Sequence, residues 1–274
     1  AKFIGIGLNF KDHAEEQNLP IPKEPIIFSK FINCVSGPND EIIVPKNSTH
    51  TDWEVELGFV IGKKALYVSE KNALDHILGF FLVNDVSERN FQKNKGPTWD
   101  KGKGFDTFGP IGPYILTIDE LPDFQNLNMY LDVNGKRMQT GNTKEMIFDV
   151  KSLVSYMSHC MSLNPGDICC TGTPPGVGEN MKPPVFLRGG EEVKLGIDKL
   201  GEQNHKVKPY KWVKLNMYEK FGQFINGKWQ KSSGGETYDV INPATEEIIG
   251  KASKANKNDI ELALQSAEKG FETW

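Results

Sequence analysis

The apolar residues of this chain fall in short runs separated by glycine and proline, and several runs alternate with polar residues, which is the pattern of β-strands. Strands are predicted at Phe3 to Leu8, Ile26 to Phe31, Glu54 to Ile61, Gly79 to Val86, Tyr114 to Thr117, Leu127 to Val133, Ile168 to Thr171 and Glu192 to Ile197. Asn134-Gly135 predicts a hairpin turn. Helices are predicted after Asp149 and from Ser69 to Ile77. This balance predicts a mainly β architecture with flanking helices (α+β) rather than regular βαβ alternation.

One predicted strand carries two carboxylates on one face. Side chains alternate along a strand, so Glu54 and Glu56 point the same way, roughly 7 Å apart, while Val55 lies on the core-facing side. Such a pair usually marks the solvated face of an amphipathic strand. Here the same face continues with Gly58 and Val60 rather than with polar residues. The pair therefore predicts a site where a cation relieves the repulsion between two carboxylates.

A third carboxylate follows the next predicted strand. Asp85 comes after the apolar run from Leu78 to Val83, as a residue at the end of a buried strand would. Glu54, Glu56 and Asp85 offer three hard oxygen ligands, with no cysteine nearby in the sequence. Such a set suits Mg²⁺, Mn²⁺ or Ca²⁺ better than zinc.

A histidine and a glutamate follow the first predicted strand. His13 and Glu16 lie three residues apart, on the same face if the segment is helical. A carboxylate bonded to one ring nitrogen fixes the tautomer and lets the other nitrogen take a proton from water. The pattern predicts a base and its orienting partner. A surface histidine beside acidic neighbours is the alternative interpretation.

Two lysines stand where an ammonium group needs an anionic partner. Lys30 lies in an otherwise apolar strand, so a substrate or metal-site carboxylate would serve it, and snorkelling at a strand end is the alternative. Lys103 lies in the segment from Trp99 to Pro110, which is too glycine-rich for a plain helix or strand and resembles a binding loop. The segment from Thr171 to Gly178 is also predicted to present backbone N–H groups to an anion.

Composition narrows the class of partner. The chain has 274 residues, a formal net charge of -4 and a pI near 5.8. Without a basic excess, nucleic acid and anionic membrane are disfavoured, so we expect a small-molecule partner. No apolar stretch approaches about 18 residues and the N-terminus does not resemble a signal peptide, so the expected location is cytoplasmic. Four cysteines without a CxxC motif predict reduced thiols.

Six motifs occur in order along the first two hundred residues. They are Gly7-Leu8-Asn9-Phe10 with His13 and Glu16, Asp52 to Glu56, Asn84-Asp85-Val86-Ser87 with Arg89 and Gln92, Lys103 with Asp106-Thr107-Phe108, Asn134-Gly135, and Pro165-Gly166-Asp167 through Thr171-Gly172-Thr173-Pro174. Together they resemble the fumarylacetoacetate hydrolase family over residues 1 to about 207. The resemblance implies a mixed β-roll fold, usually a dimer, that holds Mg²⁺ or a similar ion. The implied metal ligands are Glu54, Glu56 and Asp85, and the implied catalytic pair is His13 and Glu16. The implied positions around the substrate are Lys30, Arg89, Gln92, Lys103 and Thr173, and Lys103 is also predicted to be catalytic.

Features near the end of this region suggest a branch of the family. Met181-Lys182-Pro183-Pro184 and Val86-Ser87-Glu88-Arg89 look most like the enzymes that hydrolyse 2,4-diketo-3-deoxy sugar acids of fuconate or rhamnonate type. The chain departs from the wider family at Glu88-Arg89-Asn90, where Ala-Arg-Asp is usual, and at Gly104, where serine is frequent. These departures leave the metal ligands intact and the substrate open.

The composition shifts after Gly201. Residues 208–220 are basic and proline-punctuated and are predicted to be a linker. Residues 221–274 resemble the extreme N-terminus of aldehyde dehydrogenases, through Phe224-Ile225-Asn226-Gly227-Lys228-Trp229 and Asn242-Pro243-Ala244-Thr245-Glu246-Glu247. We expect a catalytic domain over residues 1–207 and an incomplete, non-oxidising fragment over residues 221–274.

The sequence-based hypothesis is a metal-dependent hydrolase that cleaves a C–C bond in a 2,4-dioxo acid to give pyruvate and a second acid. His13 and Glu16 would activate the attacking water, and Lys103 would neutralise developing negative charge. One alternative is a decarboxylase or isomerase of oxaloacetate-like or hydroxyhepta-dienedioate substrates. A second alternative is a non-catalytic module that binds metal or acid.

Overall fold

The computed structural model describes residues 1–211, 222–243 and 246–273. The chain divides into two compact units, Ala1–Tyr210 and Lys211–Trp274. Most of the predicted linker, residues 212–220, lies outside the described residues. The finer boundaries at 207 and 221 therefore stay a prediction.

The first unit consists mainly of short strands. Its strands are β1 Phe3–Gly7, β2 Ile26–Lys30, β3 Val35–Ser36, β4 Ile42–Val44, β5 Thr51–Asp52, β6 Val55–Ile61, β7 Ile77–Asn84, β8 Ser87–Glu88, β9 Gly109–Pro110, β10 Leu116–Thr117, β11 Asn128–Val133, β12 Lys136–Asn142, β13 Ile168–Cys170, β14 Glu192–Ile197 and β15 Gly201–Pro209. Its α-helices are α1 Lys11–Glu16, α2 Arg89–Lys93, α3 Asp100–Lys103 and α4 Val150–Cys160. Short 3₁₀ helices cover Ile32–Cys34, Glu70–His76, Thr143–Glu145 and Gly178–Asn180. The predicted mainly β, α+β class is confirmed.

A six-stranded sheet positions the candidate site. Its strand order is β10-β7-β6-β13-β1-β2, with β1 and β13 parallel and the other neighbours antiparallel. Val55 pairs with Asn84, so Glu54 and Asp85 come together where β6 begins and β7 ends, and the Asp85 N–H donates to the Glu54 carbonyl at 2.9 Å. The sequence predicted that one face of β6 lies against the core. In the structure both faces lie in the interior, because all seven residues of β6 are buried.

A five-stranded sheet covers the same core. Its order is β12-β11-β14-β15-β4, in which only β15 and β4 are parallel. Asn134 and Gly135 connect β11 to β12 with φ values of 51° and 74°, the left-handed conformation that such a hairpin turn requires. Buried residues of both sheets form one contiguous hydrophobic cluster that includes Trp53, Leu57, Phe80 and Leu131.

Two predicted elements differ in detail. The helix predicted from Ser69 to Ile77 is a 3₁₀ helix over Glu70–His76, in which Ala73 is the buried residue. A segment with so little apolar surface to bury gains little from a longer α-helix. The glycine-rich segment around Lys103 contains a single helical turn, α3. Gly102 in this turn lies so close to the backbone of α2 that a side chain there would clash with Gln92.

The described residues of the second unit form two antiparallel strand pairs and one helix. Strands β16 Gln223–Ile225 and β17 Lys228–Gln230 pair, as do β18 Thr237–Ile241 and β19 Ile248–Ser253, and helix α5 covers Lys257–Thr273. The Asp259 carboxylate accepts N–H bonds from Asn256 and Ser233. No helix in the described part of the chain is long and apolar enough to cross a bilayer.

Asn9 connects three segments that surround the candidate site. Its buried side-chain amide donates to the carbonyls of Phe148 and Thr171 at 3.1 and 2.8 Å, and its side-chain oxygen accepts from the Phe148 N–H at 2.8 Å. These bonds hold the start of α1 against the loop after β13.

We expect Asn9→Ala to lower the free energy of unfolding by about 3 kcal/mol, because buried backbone groups of Phe148 and Thr171 would lose their partners. Urea unfolding followed by circular dichroism measures the change. Asn33→Ala is the control, since Asn33 is exposed although its side chain also makes hydrogen bonds. Equal effects of the two substitutions would contradict the structural role of Asn9.

Candidate active site

A cavity of about 210 Å³ opens beside the start of β6. The residues that line it come from β1 and α1, from β2, from the start of β6, from α2, from α3 and from the loop after β13. Its polar lining includes His13, Gln17, Glu54, Glu56, Arg89 and Lys103. Six separate segments of the chain therefore contribute to one concave site, as in most small-molecule sites.

Two carboxylates in this site hold an ammonium group between them. Lys103 Nζ donates to Glu54 Oε2 at 2.7 Å and to Asp85 Oδ2 at 2.6 Å. Burial acts to lower the pKa of Lys103, but the charges of Asp85 and Glu54 outweigh it and raise that pKa. Burial acts to raise the pKa of Glu54, but Lys103 and Arg89 hold that pKa well below its usual value. Both carboxylates are placed to stabilise a cation.

Glu56 lies deeper and has fewer cationic neighbours. Its carboxylate accepts the Gly172 N–H at 2.6 Å. Burial raises the pKa of Glu56 well above its usual value, and the charges of Asp85 and Glu54 raise it further. Glu56 and Asp85 offer oxygens within 4.8 Å of each other and of the Cys170 sulfur. The observation that no cysteine lies nearby therefore holds for the sequence but is wrong for the structure.

Without a metal ion, the buried Cys170 thiol is held in its neutral form. Burial raises the pKa of Cys170 well above its usual value, and the charges of Glu56 and Asp85 add to the effect. The thiol contacts the Ile4 carbonyl at 3.7 Å. In the metal-free protein Cys170 therefore stands beside the two carboxylates as a neutral thiol.

Lys30 lies behind the carboxylates. Its ammonium donates to Asp85 Oδ1 and to the Lys103 carbonyl, both at 2.6 Å. The anionic partner that the sequence required is thus Asp85. Lys30 does not line the cavity in the described structure, so its predicted contact with substrate gains no geometric support.

Arg89 faces the cavity from the start of α2. Its Nε donates to Asp52 at 2.8 Å, and its Nη1 donates to Glu54 at 2.7 Å and to Gln92 at 3.1 Å. Its buried Nη2 has no hydrogen-bond partner among the described residues. A buried guanidinium with one free donor is suited to bind an anionic oxygen of a ligand.

His13 and Glu16 form the predicted pair on α1. His13 Nδ1 lies 2.9 Å from Glu16 Oε2, and its Nε2 lies 2.7 Å from the amide nitrogen of Gln17. Burial acts to raise the pKa of Glu16, but bonds from His13, Asn180 and Gly176 hold that pKa below its usual value. The ionised carboxylate requires the ring proton on Nδ1, which leaves the Nε2 lone pair on the side of the cavity.

Residues 2–208 match the family described as fumarylacetoacetate (FAA) hydrolase C-terminal. This chain belongs to the fumarylacetoacetate hydrolase family. A protein of Burkholderia cenocepacia provisionally named a hydrolase is 59% identical over 203 residues, which cover 74% of this chain and 72% of that relative. Residues 229–274 match the aldehyde dehydrogenase family.

Two solved structures are similar to this member of the fumarylacetoacetate hydrolase family. A 2-hydroxyhepta-2,4-diene-1,7-dioate isomerase from Mycobacterium marinum is 36% identical, with a TM-score of 0.66 and coverage of 76% of this chain and 74% of that one. Fumarylpyruvate hydrolase from Pseudomonas aeruginosa, in complex with Mn²⁺ and pyruvate, is 29% identical, with a TM-score of 0.70 and coverage of 77% and 90%. The relatives thus include both a hydrolase and an isomerase.

Asp52 and Gln17 also belong to the candidate site of this fumarylacetoacetate hydrolase fold, although neither was predicted as a site residue from the sequence. Asp52 accepts bonds from Arg89 and from the backbone N–H groups of Gly178 and Glu179. An acidic residue just before a buried strand was the available signal for Asp52. Gln17, four residues after His13, could have been recognised from helical spacing.

The other predicted substrate-binding residues lie at the cavity but are partly engaged. Gln92 lines the cavity and accepts from Arg89. Thr173 also lines it, although its hydroxyl donates to the Val55 carbonyl at 3.0 Å and accepts from Gln139 at 2.8 Å. The loop from Thr171 to Gly178 presents its amides to carboxylates of this chain, as the bond from Gly172 to Glu56 illustrates.

We expect Glu56→Gln to stabilise the metal-free protein at alkaline pH. The pKa of Glu56 is higher in the folded protein than in the unfolded chain. Between these two pKa values the folded protein therefore holds a proton that the unfolded chain has lost. The free energy of unfolding falls as the pH rises through this range. The slope attributable to one such group is at most about 1.4 kcal/mol per pH unit.

Urea unfolding in EDTA at about pH 5.5 and about pH 8 tests this linkage. The variant should show a smaller loss of stability between the two conditions than the unsubstituted protein. Glu120→Gln, at an exposed position, should leave the loss unchanged. A loss that is the same in Glu56→Gln would mean that Glu56 is ionised throughout.

Proposed function

We propose that this chain is a divalent-metal-dependent enzyme that hydrolyses a C–C bond of a 2,4-dioxo acid, giving pyruvate and a second acid. The observation that carries the proposal is the convergence of His13, Arg89, Glu54 and Glu56 on one cavity. His13 is paired with Glu16, and Asp85 lies behind the cavity wall, where it shares the Lys103 ammonium with Glu54. The presence of Mn²⁺ and pyruvate in the similar fumarylpyruvate hydrolase supports it.

Glu54, Glu56 and Asp85 are the residues that would hold the metal ion. They fit a hard divalent cation because all three offer carboxylate oxygens, and because two of them already stabilise a cationic group, the Lys103 ammonium. When bound, such an ion supplies Lewis-acid stabilisation of negative charge on the oxygens of the substrate. Mg²⁺ remains the predicted ion, with Mn²⁺ and Ca²⁺ as alternatives.

His13 is the proposed base. Glu16 holds the ring proton on Nδ1, so Nε2 can take a proton from a water molecule as that water attacks the C4 carbonyl. Cleavage of the C3–C4 bond leaves its electron pair on the pyruvate fragment as an enolate, which then takes up a proton. The acyl fragment leaves as a carboxylic acid with the oxygen of the water.

Cationic side chains at the cavity fit the anionic end of such a substrate. Arg89 lines the cavity, and its Nη2, which has no partner among the described residues, would bind the C1 carboxylate. Gln92 accepts a hydrogen bond from Nη1 of the same guanidinium. The Lys103 ammonium lies among the carboxylates at the cavity wall and would neutralise charge that develops on the substrate.

The remaining wall favours one of the two predicted substrate types. It is formed by apolar side chains, which include Leu19, Ile26, Phe28 and Trp99. A polyhydroxylated sugar-acid chain would lose hydrogen bonds to water there, whereas a compact acyl group would not. An acylpyruvate therefore fits this wall better than a diketo-deoxy sugar acid.

Isomerisation is the second candidate function. The similar 2-hydroxyhepta-2,4-diene-1,7-dioate isomerase supports it, since the same metal-assisted enolate chemistry needs no attacking water. Decarboxylation of an oxaloacetate-like acid would use the same groups. Product analysis by NMR in ¹⁸O-labelled water separates the reactions, because only hydrolysis places solvent oxygen in the second acid. Tight ligand binding without turnover would instead indicate a non-catalytic module.

A homodimer is the proposed assembly. Phe31, Ile32 and Val35 lie close together in the sequence and are exposed, with 47%, 55% and 36% of their surfaces accessible. A cluster of apolar residues at a surface is a common feature of subunit interfaces. The cytoplasmic location stays a prediction.

Removal of the metal should abolish turnover of a dioxo acid, and Mg²⁺ or Mn²⁺ should restore it, because no other group in the proposed mechanism supplies Lewis-acid stabilisation. Asp85→Asn should weaken Mn²⁺ binding, measured calorimetrically, by at least about tenfold, or about 1.4 kcal/mol. Asp75→Asn is the control at an exposed position. Full activity after complete metal removal would defeat the proposal.

His13→Ala should separate the base from the metal ligands. We expect kcat to fall by about 10²- to 10⁴-fold, the usual contribution of a positioned base, while calorimetric Mn²⁺ affinity stays unchanged. His159→Ala, which removes an exposed histidine from α4, should change neither quantity. Normal hydrolysis by the His13 variant would show that the base is wrongly assigned.

A further inference from the structure

Gln17 makes a contact with His13 that the proposed mechanism does not use. Its side-chain nitrogen lies 2.7 Å from His13 Nε2, the ring nitrogen that would accept the proton of the attacking water. Gln17 is half-buried and lines the cavity together with His13. The amide therefore occupies the position that a water molecule needs during hydrolysis.

Hydrogen bonds hold the backbone around Gln17 at the end of α1. Helix α1 ends at Glu16, and the Gln17 N–H donates to the His13 carbonyl at 3.1 Å. Asn18 follows in the left-handed conformation with φ of 52°, and the Leu19 N–H returns to the Ala14 carbonyl at 3.0 Å. This hydrogen-bonded helix end holds the Cα of Gln17 one turn beyond His13.

The hydrogen-bonding groups around the imidazole restrict the orientation of the amide. Glu16 accepts the proton on Nδ1, so in the neutral ring Nε2 has a lone pair, and Gln17 must donate its N–H to that pair. If the ring gains a proton on Nε2, the donor becomes unsuitable. Rotation of the same amide by about 180° would then present its carbonyl oxygen as an acceptor.

We propose that Gln17 is a positioning residue for the base. Its amide donates to the Nε2 lone pair of neutral His13, gives way to the attacking water, and then turns to accept the N–H of the imidazolium. A primary amide suits this role because it carries a donor and an acceptor at the same distance from the backbone. The inference rests on the proposed use of His13 as a base.

Two substitutions of similar size separate the two hydrogen-bonding roles. Gln17→Met removes donor and acceptor, which leaves the Nε2 lone pair exposed to the cavity. Gln17→Glu provides acceptors only, which favours the imidazolium. If the Gln17 side chain had only a structural role, the two substitutions would not change the reactivity of His13 Nε2 in opposite directions.

Carbethoxylation by diethyl pyrocarbonate reads the state of Nε2 without any substrate. The unprotonated ring nitrogen attacks the reagent and retains an ethoxycarbonyl group, and the displaced half leaves as ethanol and carbon dioxide. Mass spectrometry should show His13 modified about threefold to tenfold faster in Gln17→Met than in the unsubstituted full chain, as expected for loss of one hydrogen bond. In Gln17→Glu the modification should be slower than in the unsubstituted chain, because an imidazolium does not react.

Turnover gives the second measurement. Gln17→Glu should lower kcat by about tenfold with little change in KM, and Gln17→Met should lower it less. Glu15→Gln, at an exposed position on the same helix, is the matched control, and the exposed His159 is the internal reference for reagent concentration.

Equal modification rates in the three proteins, or faster modification in Gln17→Glu, would overturn the role of Gln17. Because the modification needs no substrate, it can support Gln17 even if dioxo acids are not hydrolysed. If dioxo acids are not hydrolysed but His13 is modified fastest in Gln17→Met and slowest in Gln17→Glu, the proposed function is wrong and the role of Gln17 stands.

Discussion

The structure depends on the neutralisation of carboxylates that share a buried, poorly solvated space. Glu54, Glu56 and Asp85 would repel one another strongly if all three were ionised without partners. Lys103 bridges two of them, and Lys30 reaches Asp85 from behind. The third, Glu56, has its pKa raised by burial and by its acidic neighbours. The carboxylates beside the six-stranded sheet are thus tolerated because lysines neutralise part of their charge and because the pKa of Glu56 is raised.

The same constraint explains how the cluster could serve chemistry. A carboxylate whose negative charge is not balanced by cationic groups of the protein binds a divalent cation more readily than one whose charge and hydrogen bonds are already satisfied. Glu56 accepts one described backbone bond, from Gly172, and lies where its ionisation is unfavourable without added positive charge. A cation that enters this group relieves the repulsion that the fold imposes. The polar cluster is consequently better explained by ligand binding than by its contribution to stability.

The sequence predicted the parts of the site that local periodicity determines. The two-residue spacing of Glu54 and Glu56 and the three-residue spacing of His13 and Glu16 follow directly from strand and helix geometry. The pairing of Val55 with Asn84 then brings Asp85 to the same place. Hydrophobic alternation also predicted the mainly β class, although it overestimated the difference between the two faces of β6.

The parts that sequence could not predict depend on long-range contacts. Cys170 lies more than one hundred residues after Glu56, and the two approach only because β13 inserts between β1 and β6. Nothing local to Lys30 indicates that Asp85, rather than substrate, is its partner. Asp52 was recognised as part of a motif, but its role in holding Arg89 requires the folded position of α2.

The loop after β13 makes hydrogen bonds to carboxylates from three different parts of the candidate site. In the loop after β13, the N–H groups of Gly172, Gly176 and Gly178 donate to Glu56, Glu16 and Asp52, at 2.6, 3.0 and 2.7 Å. Glu56, the Glu16 partner of His13 and the Asp52 partner of Arg89 therefore all accept hydrogen bonds from the same loop.

The glycines of that loop are required by its conformation. Gly172 and Gly176 have φ values of 98° and 100°, and a Cβ at Gly176 would lie 2.0 Å from the Met138 carbonyl oxygen. A side chain at either position would shift the backbone amides on which the carboxylates depend. Because these amides belong to the main chain, the conformation of the loop sets the relative positions of Glu56, Glu16 and Asp52. Through the bonds of Glu16 to His13 and of Asp52 to Arg89, the same loop also constrains His13 and Arg89.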